Sequence, residues 1–217
     1  MMRVRKQATL LLLGALTLFL VGLVSASAAP VTFRADTSGV FGAGSSGGTV
    51  GGGGTTLTVG PTTITFSSKP NELNVNLNPG ESSNVTLGVF NATSSSANNT
   101  SVNGATFTLN VTFTLPNDAS PKPAVYNATI TGTINSGASG ASVVWSTTTL
   151  NFSSPTAGTF TLTLEPATPI NSPASPDASR IRGTITYNAA IPEPLTLLTL
   201  GSGLAGLAAL GRRRKKD

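Results

Sequence analysis

Any chemistry in this chain must come from carboxylates, hydroxyls and a few aromatic rings, because its 217 residues include no His and no Cys. Their absence excludes Ser-His and Cys-His nucleophiles, His-held metals, thiolate zinc sites, iron–sulfur clusters and disulfides. Six acids lie between Ala29 and Ala190: Asp36, Glu72, Glu81, Asp118, Glu165 and Asp177. A pair of them, brought together by the fold, could serve as the acid and base of a glycoside hydrolase. No Trp-rich cleft sequence accompanies them, and Glu72 and Glu81 sit beside turn signals, so solvated surface carboxylates are the expectation. No D-x-D-x-D-G calcium loop occurs, and neither Lys69 nor Lys122 stands in a Ser-x-x-Lys pattern. Gly42-Ala43-Gly44-Ser45-Ser46-Gly47 matches G-x-G-x-x-G in letters. That motif holds a pyrophosphate only where a helix N-terminus follows, and here more glycines follow. The body is therefore read as non-enzymatic and without a cofactor, with a carboxylate-based hydrolase as the second alternative.

Binding is the other chemistry open to a polar β domain. Sugar rings stack on aromatic faces, and the body offers Trp145, Tyr126 and Tyr187. Trp145 lies in Val143-Val144-Trp145-Ser146, where it suits a core as well as a stacking platform. An anchored carbohydrate-binding module with Trp145 as its sugar-stacking residue is the first alternative. Asn-x-Ser/Thr sequons occur at Asn84, Asn91, Asn98, Asn99, Asn110, Asn127 and Asn151, as expected by composition alone in a chain rich in Asn, Ser and Thr.

The net charge of +5 and pI near 10.1 suggest nucleic acid until the charges are placed. Arg3, Arg5 and Lys6 open the chain, and Arg212, Arg213, Arg214, Lys215 and Lys216 close it. Between Ala29 and Ala190 five cations (Arg34, Lys69, Lys122, Arg180, Arg182) face the six acids, leaving one net negative charge. A nucleic-acid footprint needs clustered Lys and Arg on the folded surface, so no nucleic-acid partner is expected.

The elements that must position these residues are strands. Phe107, Leu109, Val111, Phe113 and Leu115 alternate with Thr and Asn, the period of a strand with one buried face. The period recurs at Leu73-Val75-Leu77, Val85-Leu87-Val89 and Phe160-Leu162-Leu164. It is weaker through Leu57-Val59, Ile64-Phe66, Tyr126–Ile134, Leu150-Phe152 and Ile181–Tyr187. Roughly ten strands with frequent turn signals predict an all-β domain, a β-sandwich of jelly-roll or immunoglobulin-like type, over residues 29–190. Gly39 to Gly54 reads as a flexible loop or long hairpin, and Pro166 to Ser179 as an extended surface segment.

Both ends read as addresses. Residues 1–28 have a basic start, an apolar run from Ala8 to Val24 and small residues after it, the plan of a signal peptide. Ala26 and Ala28 suit the −3 and −1 positions, placing the signal-peptidase cut before Ala29. Residues 191–217 carry Pro192-Glu193-Pro194, then Leu195 to Leu210 without a charge, then Gly211 and the basic cluster 212–216. As a helix those 16 residues span about 24 Å, a marginal membrane crossing. Membrane contact over residues 195–211, with the cations as a stop-transfer signal on the cytoplasmic side, gives a body outside and a tail inside.

Pro-Glu-Pro, a short Gly-containing span and a terminal Arg cluster, in that order, closely resemble the PEP-CTERM sorting signal of exported bacterial proteins. The resemblance implies recognition of Pro192, Glu193 and Pro194 by the membrane-embedded enzyme exosortase, with processing near the motif. The body is similar to choice-of-anchor domains in four segments: Val31-Thr32-Phe33, Ser38-Gly39-Val40-Phe41-Gly42, Leu87-Gly88-Val89-Phe90-Asn91 and Arg182-Gly183-Thr184-Ile185-Thr186-Tyr187. That similarity implies a β-rich surface domain of undefined activity. The expectation is a structural protein of the bacterial surface or extracellular matrix, associated with exopolysaccharide. It would be held first as an inner-membrane precursor.

Overall fold

The computed structural model describes residues 29–68, 73–171 and 179–189. The signal-peptidase residues Ala26 and Ala28, the Pro192-Glu193-Pro194 motif, the span 195–211 and the cations 212–216 lie outside them. Among the described residues no helix is long and apolar enough to cross a membrane, and helical backbone is confined to the 3-10 turn Gly52–Gly54 and to Ser179.

Strict alternation builds the strands. In β8 (Ala105–Leu115) the even-numbered Thr and Asn face outward, while Ala105, Phe107, Leu109, Val111 and Phe113 are buried. In β9 (Ala124–Thr131) Ala124, Tyr126, Ala128 and Ile130 point in, and Val125, Asn127, Thr129 and Thr131 point out. Thr-rich outer faces and aromatic or aliphatic inner faces leave each sheet one side to bury, and two such sheets bury each other.

The larger sheet has the order β12-β13-β15-β6-β4-β3-β2, and the smaller β14-β11-β9-β8-β1-β5. The first comprises β12 (Thr149–Ser154), β13 (Gly158–Leu164), β15 (Arg180–Ala189), β6 (Ser82–Ser94), β4 (Thr62–Ser67), β3 (Thr56–Val59) and β2 (Thr49–Gly51). The second adds β14 (Ala167–Ile170), β11 (Ala141–Trp145), β1 (Val31–Gly42) and β5 (Leu73–Leu77) to β8 and β9. A two-stranded ribbon of β7 (Thr100–Ser101) and β10 (Thr133–Ile134) completes the set. All pairings are antiparallel. The all-β, sandwich-like packing expected from the sequence is what forms.

Aromatic rings join the two sheets along β8. Phe113, near the end of β8, lies 4.9 Å ring to ring from Phe152 of β12 and 4.9 Å from Phe160 of β13. Phe107, six residues earlier on the same strand, meets Phe90 of β6 at 4.8 Å and Phe66 of β4 at 5.1 Å. Rings from the two ends of β8 thus meet rings from four strands of the larger sheet, and the two inner faces pack against each other.

Three register jumps interrupt the ladders, one of them at Asn188 opposite β13, and the other two change which residues face inward. Opposite β15, the register of β6 jumps between Thr86 and Gly88, so Leu87 is the extra residue. Inward positions then change phase, from Val85 and Leu87 to Phe90 and Ala92, and Val89 is only half-buried. A second jump, where Arg34 pairs with Leu115 and Ala35 with Phe113, turns Leu115 to solvent. Val89 and Leu115 therefore depart from the buried series to which simple alternation assigned them.

The glycine-rich stretch is also more ordered than composition implied. Gly39 to Gly42 finish β1, and Thr49–Gly51 form β2 in the opposite sheet, so the stretch is a corner between sheets and not a loose loop or hairpin. Gly39 is required by space: a Cβ there would lie 2.4 Å from Phe107 Cζ and 2.7 Å from the Phe66 ring. Gly88, on the facing sheet, leaves the same room on the other side of Phe66, where a Cβ would approach Cε2 at 2.3 Å. Two Gly-Val-Phe tripeptides, residues 39–41 and 88–90, thus hold one ring between them and send Phe41 and Phe90 into the same cluster, 6.0 Å apart.

Candidate functional site

The aromatic residues considered for sugar stacking are all in the core. Trp145 on β11 is 6% exposed, edge-on to Phe107 and Tyr126, and its Nε1–H donates to Thr168 Oγ1 at 3.4 Å. It offers no ring face to a ligand, which corrects its role as a stacking residue. The alternation of β11 directs Val143 and Trp145 inward and Val144 outward. Tyr126 is buried too, and its hydroxyl donates to the Leu162 carbonyl across the sandwich at 2.9 Å. Burial pushes that hydroxyl well above the ordinary tyrosine range, and Tyr187 shifts in the same direction for the same reason.

The described carboxylates go to separate places. Asp36 is exposed on the outer face of β1. Glu81 caps the β5–β6 turn, accepting from the Asn78 backbone N–H at 2.8 Å and its side-chain amide at 3.1 Å, which lowers its pKa. Asp118, in the β8–β9 loop, accepts from Ser154 Oγ at 2.5 Å and from the Thr156 N–H at 3.1 Å and hydroxyl at 2.9 Å. The Ser154 bond leads in lowering its pKa, against a smaller opposing push from desolvation. Ser120 and Ser153 add a backbone bridge of 2.9 and 3.0 Å beside it, so this group clamps two loops from opposite sheets. Glu72 and Asp177 are outside the described residues. Among the described residues no three acids gather as a metal site would need.

The Gly42–Gly47 match to a dinucleotide motif forms a turn that leads into β2 and not into a helix, so the helix N-terminus on which pyrophosphate binding depends is missing. The seven sequon asparagines all lie on exposed or half-exposed positions.

What the sequence did not reveal is a concavity of about 760 Å³ on the outer face of the larger sheet. Three adjacent strands make it. β6 contributes Asn84 and Thr86, β13 contributes Thr163 with Glu165 just past its end, and β15 contributes Arg180, Arg182 and Thr184. The Thr184 hydroxyl donates to Asn84 Oδ1 at 3.0 Å, and the Glu165 N–H donates to the Arg182 carbonyl at 3.0 Å. The groove is thus a floor of hydroxyls and an amide, with two guanidinium groups and one carboxylate. Alternation in Arg182-Gly183-Thr184 could have placed Arg182 and Thr184 on one face. Only the topology puts β15 between β6 and β13.

Chemically the groove suits binding. A two-carboxylate glycosidase needs its acids about 5–10 Å apart, and Glu165 is the one acid among the described lining residues. Compared with protein-family models, with curated proteins and with solved structures, the chain gives no significant match.

Proposed function

We propose that this is an exported, non-catalytic protein of the bacterial surface or extracellular matrix, sorted through its C-terminal segment. The observation that carries the reading is the order of the terminal elements. A signal peptide with Ala26 and Ala28 at its cut comes first, and Pro192-Glu193-Pro194, an uncharged span and the basic cluster 212–216 come last. The protein crosses the inner membrane, is held there by residues 195–211, and is processed by an exosortase near the motif. The β domain then joins the envelope or exopolysaccharide. Its Thr- and Asn-covered sheet faces and near-neutral body suit a hydrated polysaccharide medium.

The type of sandwich is part of the proposal. Between the two large sheets the chain changes sheet seven times along its length, a connectivity in keeping with a jelly-roll.

Intact mass of the protein in each cell fraction of its native host tests the sorting. A chain ending near Pro192 to Pro194 in the outer envelope or medium is expected. A chain retained to Asp217 in the inner membrane would make it a plain anchored protein. Deleting Pro192–Asp217 without changing location or mass would end the sorting reading. The polar groove favours one second reading, an anchored carbohydrate-binding module whose site is this groove and not Trp145.

A further inference from the structure

We infer that the groove on the outer face of the larger sheet binds a carboxylate-bearing glycan, with Arg182 as the group that recognises the acid. The choice of a glycan rests on the matrix reading above; the choice of an acidic one rests on the groove. Arg182 and Arg180 supply two of the four described cations of the body and line the same concavity. Arg182 is solvent-exposed on its strand, so its planar fork can meet a carboxylate through two parallel hydrogen bonds, a geometry that a lysine cannot supply.

The remaining lining residues have the chemistry of sugar hydroxyls. Thr86, Thr163 and Thr184 donate and accept, Asn84 carries an amide, and Glu165, beside Arg182, is an acceptor. Three antiparallel strands place the outer two about 10 Å apart, which accommodates one to two pyranose rings lying across the sheet. The groove volume falls in the range of small-ligand sites, roughly 300–1,000 Å³. No Trp or Tyr is among the described lining residues, so selectivity comes from charge and hydrogen bonding and not from ring stacking. Glu165 stands directly across the strands from Arg182, so the pair admits one carboxylate at the guanidinium. The hydroxyls of Thr86, Thr163 and Thr184 are left for the neutral parts of the glycan.

The test is a titration of the full chain in detergent micelles with a trimer of galacturonic acid, followed by amide chemical shifts. A neutral glucose trimer serves as the comparison. The expected result is saturable shifts at Asn84, Thr163 and Thr184 with the acidic trimer only. Arg182→Gln should raise Kd tenfold or more, Arg182→Lys should recover part of that loss, and Lys122→Gln should leave Kd unchanged. Shifts confined to the basic termini, no shifts, equal response to the neutral trimer, or an Arg182→Gln chain that binds normally would each overturn the inference. Binding is read on purified protein and sorting in the host, so either can fail alone.

Discussion

The two ends of β8 are both packed by rings, but different devices hold those rings in place. At the Phe107 end the cluster of Phe41, Phe66, Phe90 and Phe107 exists because side chains are missing: Gly39 and Gly88 clear the volume that Phe66 and Phe107 fill. At the Phe113 end, Phe33, Phe113, Phe152, Phe160 and Tyr187 meet without such glycines. There the loops above the cluster are tied by hydrogen bonds from Ser154 and Thr156 to Asp118. One end is set by space and the other by polar bonding, so they should fail under different insults: added volume at the first, lost contacts or acid at the second.

The largest effect is expected from Phe160→Ala, since that ring touches Phe33, Phe113 and Phe152 at once. Urea unfolding should show a loss of about 3–5 kcal/mol, the range for a buried aromatic truncated to alanine. Next comes Gly39→Ala, which adds one methyl where Phe107 Cζ would lie 2.4 Å away. It should cost about 1–3 kcal/mol by overpacking. In a Phe107→Leu background part of that cost should disappear, the Phe66 ring at 2.7 Å keeping the rest, and a double-mutant cycle measures the coupling. A full cost even when Phe66→Leu and Phe107→Leu are combined would show that space at Gly39 is not what fixes this end.

A smaller effect is expected at Tyr126, which joins the sheets midway. Tyr126→Phe removes the bond to the Leu162 carbonyl and should cost about 1 kcal/mol at neutral pH. Because burial raises the folded-state pKa of this hydroxyl, its contribution is complete below the ordinary tyrosine range, near about pH 10. It declines as pH rises from there toward the folded value. The gap between native and Tyr126→Phe protein in alkaline melting curves should therefore narrow. The smallest effect is expected from Asp118→Asn. The folded-state pKa of Asp118 is lowered, so its contribution is present above the ordinary carboxylate range and is lost as pH falls through the folded value. The variant should show a flatter decline of melting temperature in acid, with exchange of the amides at Thr156 and Ala157 accelerated first.

The sequence displayed the strands well where the period was unbroken. Phe107 to Phe113 and Phe160 to Leu164 are buried as their alternation requires. It misplaced Val89 and Leu115 because a bulge is one residue long and leaves no mark in composition. Gly39 to Gly54 looked slack because a glycine that clears room for a ring is spelled like one that frees a linker. Trp145 was ambiguous in sequence, and its inward parity became visible only once Val144 was seen to face out. The groove was illegible for a different reason: Asn84, Thr163 and Arg182 are far apart in the chain, and nothing local records which strands become neighbours. The sorting residues, by contrast, form one contiguous run, and contiguity is what a single sequence shows best.

The position of β15 has a mechanical side. It pairs with β6 from Arg180 to Thr186 on one edge and with β13 from Gly183 to Ala189 on the other, and it ends three residues before Pro192. A tether pulling on that end along the strand axis would load both ladders in shear, with many antiparallel hydrogen bonds lying across the force and sharing it. An edge strand in the same place could peel away one bond at a time. A domain hung from an interior strand resists being unzipped by drag on whatever it holds.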